Sequence, residues 1–282
     1  MKKCAYCGRQ VALTKEHIWP KNLISRNEMS HAYNPKTEKF HQSELMIRDV
    51  CEPCNSIKLS QLDNYLAEEF QKTFANIVQR GSDVEFKYSY QLLLRVILKI
   101  SYNASRSANN SRNTFALARF ANYVLDGGYS PRATLRLQIV TPGIRVELSG
   151  KELGEVVPKL FRSAVIAYNG RLGNRFLVKL VAINSFWFYL AVSHKNEPDH
   201  IWREFAEGLD GWTVPLGIPL SASDCKLVVR REQTTWFDPT GLFQGHGVGG
   251  DESLHSASNG EAPENDSPFA HPFTCGSKGG SV

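Results

Sequence analysis

Apolar side chains recur at helical spacing between residues 53 and 80, where Ile57, Leu59, Leu62, Tyr65, Leu66, Phe70, Phe74, Ile77 and Val78 share one side before Gly81-Ser82-Asp83 ends the run. A weak alternation over residues 84–88 predicts a short strand. Leu92, Leu93, Val96, Ile97 and Ile100 then form the apolar face of a second helix over residues 89–107. A third helix is predicted over 114–125, stopping at Asp126-Gly127-Gly128 with glycine at the C-cap. After Tyr129 the period changes to two. Residues 135–140, 144–148, 162–168, 175–183 and 186–192 alternate as strands, separated by Thr141-Pro142-Gly143, Asn169-Gly170 and Asn184-Ser185 as turns, and a helix follows over 199–209. Within the last of these strands, Phe186-Trp187-Phe188-Tyr189 has the composition of a base-stacking platform, although a buried strand explains it with less.

Ahead of the first helix, residues 11–15 are short and β-prone, and residues 21–45 are polar and irregular, a surface insertion with a hairpin near 40–47. Beyond Asp238 the chain is mostly Gly, Ser, Asn, Glu and Pro, too poor in apolar residues to bury a core, and reads as a disordered tail. The pattern therefore predicts an α+β protein in four parts: a small module over residues 1–65, a helical segment over 66–128, a mixed, mainly antiparallel sheet domain over 129–236, and a tail over 237–282.

Composition adds room for this plan, since 282 residues, 42% hydrophobic and 22% charged, bury more than one small module needs. No run of about 18 apolar residues occurs, Lys179 interrupting the best candidate, and Met1-Lys2-Lys3-Cys4 has no apolar leader; nothing is expected to enter a membrane. Charge is uneven. Residues 86–136 hold Lys87, Arg95, Lys99, Arg106, Arg112, Arg119, Arg132 and Arg136 against the single acid Asp126, a net +7 where the whole chain carries +5. Such a field suits a polyanion, because each phosphate neutralised releases condensed counterions; a solvated helical face is the plainer account.

The chemistry concentrates near the start of the chain. Four of the six cysteines form two CxxC pairs, Cys4/Cys7 and Cys51/Cys54, while Cys225 and Cys275 stand outside them. Paired thiols at this spacing suit a tetrahedral structural Zn²⁺ in a reducing, intracellular setting, and Gly8 supplies the dihedral needed after the first pair. Between the pairs lies Lys15-Glu16-His17-Ile18-Trp19-Pro20, and Asn55 follows the last thiol. Glu16 and Asn55 offer hard oxygen ligands for a Mg²⁺-type ion, and His17 offers a neutral base. Neighbours on an extended strand point to opposite sides, so Glu16 is expected to face a metal while His17 faces the attacking water.

Taken together, Cys4-x-x-Cys7, Glu16-His17-x-x-Pro20 and Cys51-x-x-Cys54-Asn55-x-x-Lys58 resemble the ββα-metal fold of the HNH nucleases, in the zinc-ribbon subgroup that includes phage junction-resolving endonucleases. The resemblance covers about the first 65 residues. It implies a divalent-metal-dependent endonuclease, with Mg²⁺ or Mn²⁺ held by Glu16 and Asn55, His17 as general base, Lys58 on phosphate, and DNA favoured over RNA as the substrate. Lys87, Arg95, Lys99, Arg106, Arg112 and Arg119 would then hold the nucleic-acid backbone, and a restriction or defence role follows by analogy alone. A zinc ribbon that binds nucleic acid without cutting it is the alternative. Two positions depart from the family pattern. Glu16 stands where aspartate is commoner, and Met46 occupies the place of the middle Asn that holds the base-bearing loop, leaving Asp49 or a residue of 21–45 to replace it.

Overall fold

The computed structural model describes residues 2–21, 23, 30–34, 39–42, 45–128, 132–147, 149–166, 170–210, 217–237 and 246–249. The chain begins with strands β1 (Leu13–His17), β2 (Ser30–Asn34), β3 (Lys39–Gln42) and β4 (Met46–Cys51). A helical run follows in three joined parts, a π-helical turn at Pro53–Leu59, α1 (Ser60–Glu69) and a second π-helical turn at Phe70–Phe74. Next come β5 (Val84–Lys87), α2 (Tyr90–Ser107), α3 (Ser111–Ala118) and α4 (Ala121–Asp126). The rest is largely strand: β6 (Thr134–Thr141), β7 (Gly143–Val146), β8 (Glu152–Val156), β9 (Leu160–Ile166), β10 (Phe176–Ile183) and β11 (Phe186–Ser193). Helix α5 (Asp199–Asp210) and the short strands β12 (Ile218–Pro219), β13 (Lys226–Val229), β14 (Thr235–Trp236) and β15 (His246–Gly249) complete it.

The mixed α+β class holds. Strands β12-β6-β11-β10-β9-β15-β2-β3 form one sheet in that order, with β14 alongside β6, while β1 and β4 make a separate antiparallel ladder. Every residue of β10 and β11 is buried, because the sheet is covered on both faces. Leu177, Val181, Ile183, Phe186, Phe188 and Leu190 pack on the side of α2, and Val178, Leu180, Trp187 and Tyr189 on the side of Trp202 and Phe205 from α5. The aromatic run at 186–189 is thus core rather than platform.

The β10–β11 turn also fastens the N-terminal helices to this sheet. Asn184, at φ 50°, donates from Nδ2 to the Phe74 carbonyl at 2.8 Å, and Ser185 Oγ accepts the Val78 amide at 2.9 Å. A single apolar core consequently runs from Tyr6 and Trp19 through Leu62, Phe74 and α2 to Leu190. The boundary expected at residue 65 falls inside a continuous helical run, whose start packs on β4 while α1 packs on α2 and Phe70 and Phe74 pack on Phe161 and Phe186 of the sheet.

Other differences follow from pairing. Among the described residues of 40–47, β4 pairs with β1 rather than with β3, and β3 pairs with β2, which reaches the large sheet through β15. Residues 246–249 therefore belong to a strand and not to a disordered tail; residues 238–245 and 250–282 lie outside the described residues. The single helix expected over 114–125 is two short helices, the first starting at Ser111 because the Asn110 side chain accepts the Asn113 amide, the break falling at Phe120. No helix among the described residues is long and apolar enough to cross a membrane.

Candidate functional site

The four paired cysteines meet. Gly8 takes φ 71° to turn the chain after Cys7, and the β1–β4 ladder brings Leu13 opposite Cys51, so both CxxC loops close on one point. The four Sγ atoms lie within 4.8 Å of one another, with Cys7 and Cys51 at 3.6 Å. A tetrahedral ion with metal–sulfur bonds of about 2.3 Å sets its sulfurs about 3.8 Å apart, so the cluster could hold a metal ion such as zinc. Burial pushes the Cys4 thiol up, but backbone donors from Cys7, Cys51 and Tyr6 outweigh it and bring it down to about 7. Burial, then crowding by Cys51 and Cys7, pushes Cys54 up. Among the described residues this is the one group of three or more Cys, His, Asp or Glu side chains close enough to share an ion.

Beside the thiols, the register of β1 decides what Glu16 and His17 face. The pairing shifts between Thr14 and Glu16, and alternation then sends the two side chains to opposite sides, His17 remaining half-buried opposite Met46. The side given to Glu16 is the interior. Only 2% of Glu16 is exposed, and its Oε1 lies 2.7 Å from the Lys99 ammonium of α2, which also meets Asp63 of α1 at 2.5 Å. Burial raises the Glu16 carboxyl above its ordinary range, further than Lys99 draws it down. For Lys99, burial works against the charge, yet Asp63 and Glu16 outweigh it and hold the ammonium's pKa above normal. Asn55, in the first turn after Cys54, uses Nδ2 to donate to Thr14 Oγ1 at 3.0 Å and to the Lys15 carbonyl at 2.8 Å, tying the start of the helix to the strand that carries His17.

Expectation and structure differ over the catalytic ion. Glu16 is not turned toward an open site shared with Asn55, since a buried ammonium already neutralises it, and a dication there would meet Lys99 as a like charge. The set of Glu16 and Asn55 does not fit Mg²⁺ or Mn²⁺ in this arrangement.

A second polar cluster joins α2 to the first CxxC loop. Asn103 is fully buried; its Nδ2 donates to the His17 carbonyl at 3.1 Å and faces Glu16 Oε1 at 3.4 Å. Its Oδ1 accepts from Tyr6 Oη at 2.7 Å and Arg106 Nη2 at 2.9 Å. Arg106 also pairs with Asp49 at 2.8 Å and lies 3.9 Å over the Tyr102 ring, while Tyr102 Oη donates to the Ala5 carbonyl.

This cluster corrects the basic patch. Arg95, Lys99 and Arg106 are expected to hold phosphates; Arg95 and Lys99 are buried, Arg106 is partly so, and all three are committed, Arg95 to the carbonyls of Val124 and Leu125 and Arg106 to Asp49. Arg136 is likewise buried on the Gly217 carbonyl. Lys58 pairs with Asp126 at the surface, Lys87 is exposed near Glu85, Arg112 donates to the Asn174 carbonyl, and Arg119 reaches the Ser193 carbonyl and Asn196. Sequence reasoning missed Asn103, Asp63 and Tyr6. A signal existed for the first: Arg95, Lys99, Asn103 and Arg106 follow one another at helical spacing, a polar stripe on an otherwise apolar helix.

Comparison with known family models, curated proteins and solved structures gives no match to this chain.

Proposed function

We propose that the chain is an HNH-type endonuclease that hydrolyses phosphodiester bonds in nucleic acid, DNA in preference to RNA, with zinc on Cys4, Cys7, Cys51 and Cys54. The observation that carries the reading is the joint closure of the two CxxC loops, which sets the end of the His17 strand against the helical turn bearing Asn55, with Asn55 bonded to the Lys15 carbonyl at 2.8 Å. In this reading His17 takes a proton from water as the water oxygen attacks phosphorus. The bond to the 3′ oxygen breaks, and that oxygen is protonated from solvent. The products are a 5′ phosphate and a 3′ hydroxyl. The Lys58 ammonium, released from its surface pair with Asp126, orients the phosphate, while Asn55 Nδ2 holds the strand end that carries His17. A divalent ion would add Lewis-acid stabilisation of the leaving oxygen, but the pairing of Glu16 with Lys99 leaves it without a ligand set in this arrangement.

That same pairing favours a second reading, in which the zinc module binds nucleic acid without cutting it. The two separate when duplex, branched and single-stranded DNA and RNA are incubated with the full chain in Mg²⁺, Mn²⁺ or EDTA, beside His17→Ala. Cleavage by the parent, lost in His17→Ala with zinc content and DNA affinity retained, supports the nuclease. No cleavage of any substrate with any ion, or equal cleavage by the variant, rejects it in favour of the binding module.

A further inference from the structure

We infer that Asn103, supplied by α2 from outside the N-terminal module, is the positioning residue that fixes the peptide of His17 and so aims its imidazole. The inference rests on the nuclease reading for its consequence in catalysis, and on geometry for its substance. His17 is the last residue of β1, where the ladder with β4 ends, and its carbonyl accepts from Asn103 Nδ2 at 3.1 Å. The orientation of the Asn103 amide is dictated by its surroundings. Tyr6 and Arg106 both present donors to one end, so that end is Oδ1, and Nδ2 must face His17 and Glu16. Asparagine is the residue type this place requires, since it must accept from a phenol and a guanidinium while donating to a carbonyl. Asp49, the nearer candidate in sequence, has only acceptors when ionised and is used instead to bind Arg106.

The arrangement also links the thiol cluster to the base. Tyr6 lies between Cys4 and Cys7, and its hydroxyl sets Asn103, which in turn sets His17. A shift in the first CxxC loop therefore reaches the imidazole through two hydrogen bonds. Fully buried and fully bonded, Asn103 holds the strand end with little freedom.

The test uses the full zinc-loaded chain with Asn103→Asp, which keeps both acceptor contacts but turns a donor into an acceptor opposite the His17 carbonyl. Cleavage kcat should fall by about 10- to 100-fold, with KM within about twofold and zinc content unchanged. The His17 ring Cε1–H resonance, assigned by its absence in His17→Ala, should move in Asn103→Asp. Tyr6→Phe, a milder change at the other end of the amide, should move it the same way by less, which keeps the test open if Asn103→Asp does not fold. An unmoved His17 resonance in a folded variant overturns the inference, as does an unchanged kcat in folded, zinc-loaded Asn103→Asp. If the parent cuts nothing, the nuclease reading fails while the resonance still decides whether Asn103 positions His17.

Discussion

Two buried lysines show what separates a polar group that organises a fold from one that the fold merely tolerates. Lys99 on α2 is wholly inaccessible yet sits between Glu16 and Asp63, in a layer where Asn103 and Arg106 are also partnered by Tyr6, the His17 carbonyl and Asp49. Lys179 on β10 is nearly as buried, between Leu177 and Val181 on the sheet face that packs against α2, and among the described residues no ion pair or hydrogen bond engages its ammonium. Arg162 of β9 resembles it, with Nε and Nη2 buried and unpartnered among the described residues, and burial brings it down to about 10. Charge in a dry layer is tolerated when most of its donors meet acceptors, as in the first layer, where Arg106 Nη1 is the guanidinium nitrogen left without one, and becomes a liability when none does. The first cluster lies against the strand that carries His17; the second lies in the sheet, against apolar neighbours.

The largest way to break the first cluster is to remove its outer anchor. Cys51→Ser should release the metal and unfold the β1–β4 module, because metal-binding energy in such a module, on the order of 10 kcal/mol, is largely its folding energy. Metal analysis together with hydrogen exchange checks it: exchange protection should vanish at β1 and β4 while β10 and β11 stay protected. A variant that retains both metal and protection shows that the four thiols are not the staple.

Lys99→Met comes next. It leaves Glu16 and the partly exposed Asp63 without their shared cation, and removal of one partner from a buried pair costs about 3–5 kcal/mol. Chemical denaturation should show a loss of that order, with part of it recovered in Lys99→Met/Glu16→Gln, where no buried charge remains at residue 16. A loss below about 1 kcal/mol would mean that the ion pair is solvated and the contrast with Lys179 is not real.

How far this was legible in the sequence depends on the kind of information each feature needs. The strands from β9 to β11 and the helix α2 lie close to where their apolar runs place them, although β10, β11 and the middle of α2 are buried on all sides rather than on one periodic face. The thiol cluster follows from spacing too. What alternation could not supply was which side of β1 is interior. It separates Glu16 from His17 correctly, yet whether Glu16 meets a metal or Lys99 depends on a helix, α2, that begins only at Tyr90. The same gap misplaced the basic stripe. A polar face on α2 looks identical whether it meets water or another polar surface, and Arg95, Lys99 and Arg106 meet Val124, Glu16 and Asp49. The β2–β3 pair joined through β15 was beyond reach because its partner strand lies in a segment whose composition gives no strand signal.

The smallest expected effect has the opposite sign and sharpens the contrast most. Burial lowers the Lys179 ammonium from the ordinary lysine value to about 8. Its folded-state pKa lies below the unfolded one, so between about pH 8 and about 10.4 the unfolded chain binds the extra proton, and stability rises with pH across that window. Below pH 8 the full penalty applies, about 3 kcal/mol for a depression of that size. Lys179→Met keeps the length of the side chain and removes the charge, so it should stabilise the protein at pH 7 by about 1–3 kcal/mol, the lower figure allowing for imperfect packing of the thioether. The gain should shrink above pH 8 and be mostly gone above about pH 11, where the lysine is neutral in both states. Urea denaturation of parent and variant at pH 7 and pH 10 measures both. A variant less stable than the parent at pH 7, or a gain that does not change with pH, would show that Lys179 carries its charge with a partner as Lys99 does, and the distinction between the two clusters would fall.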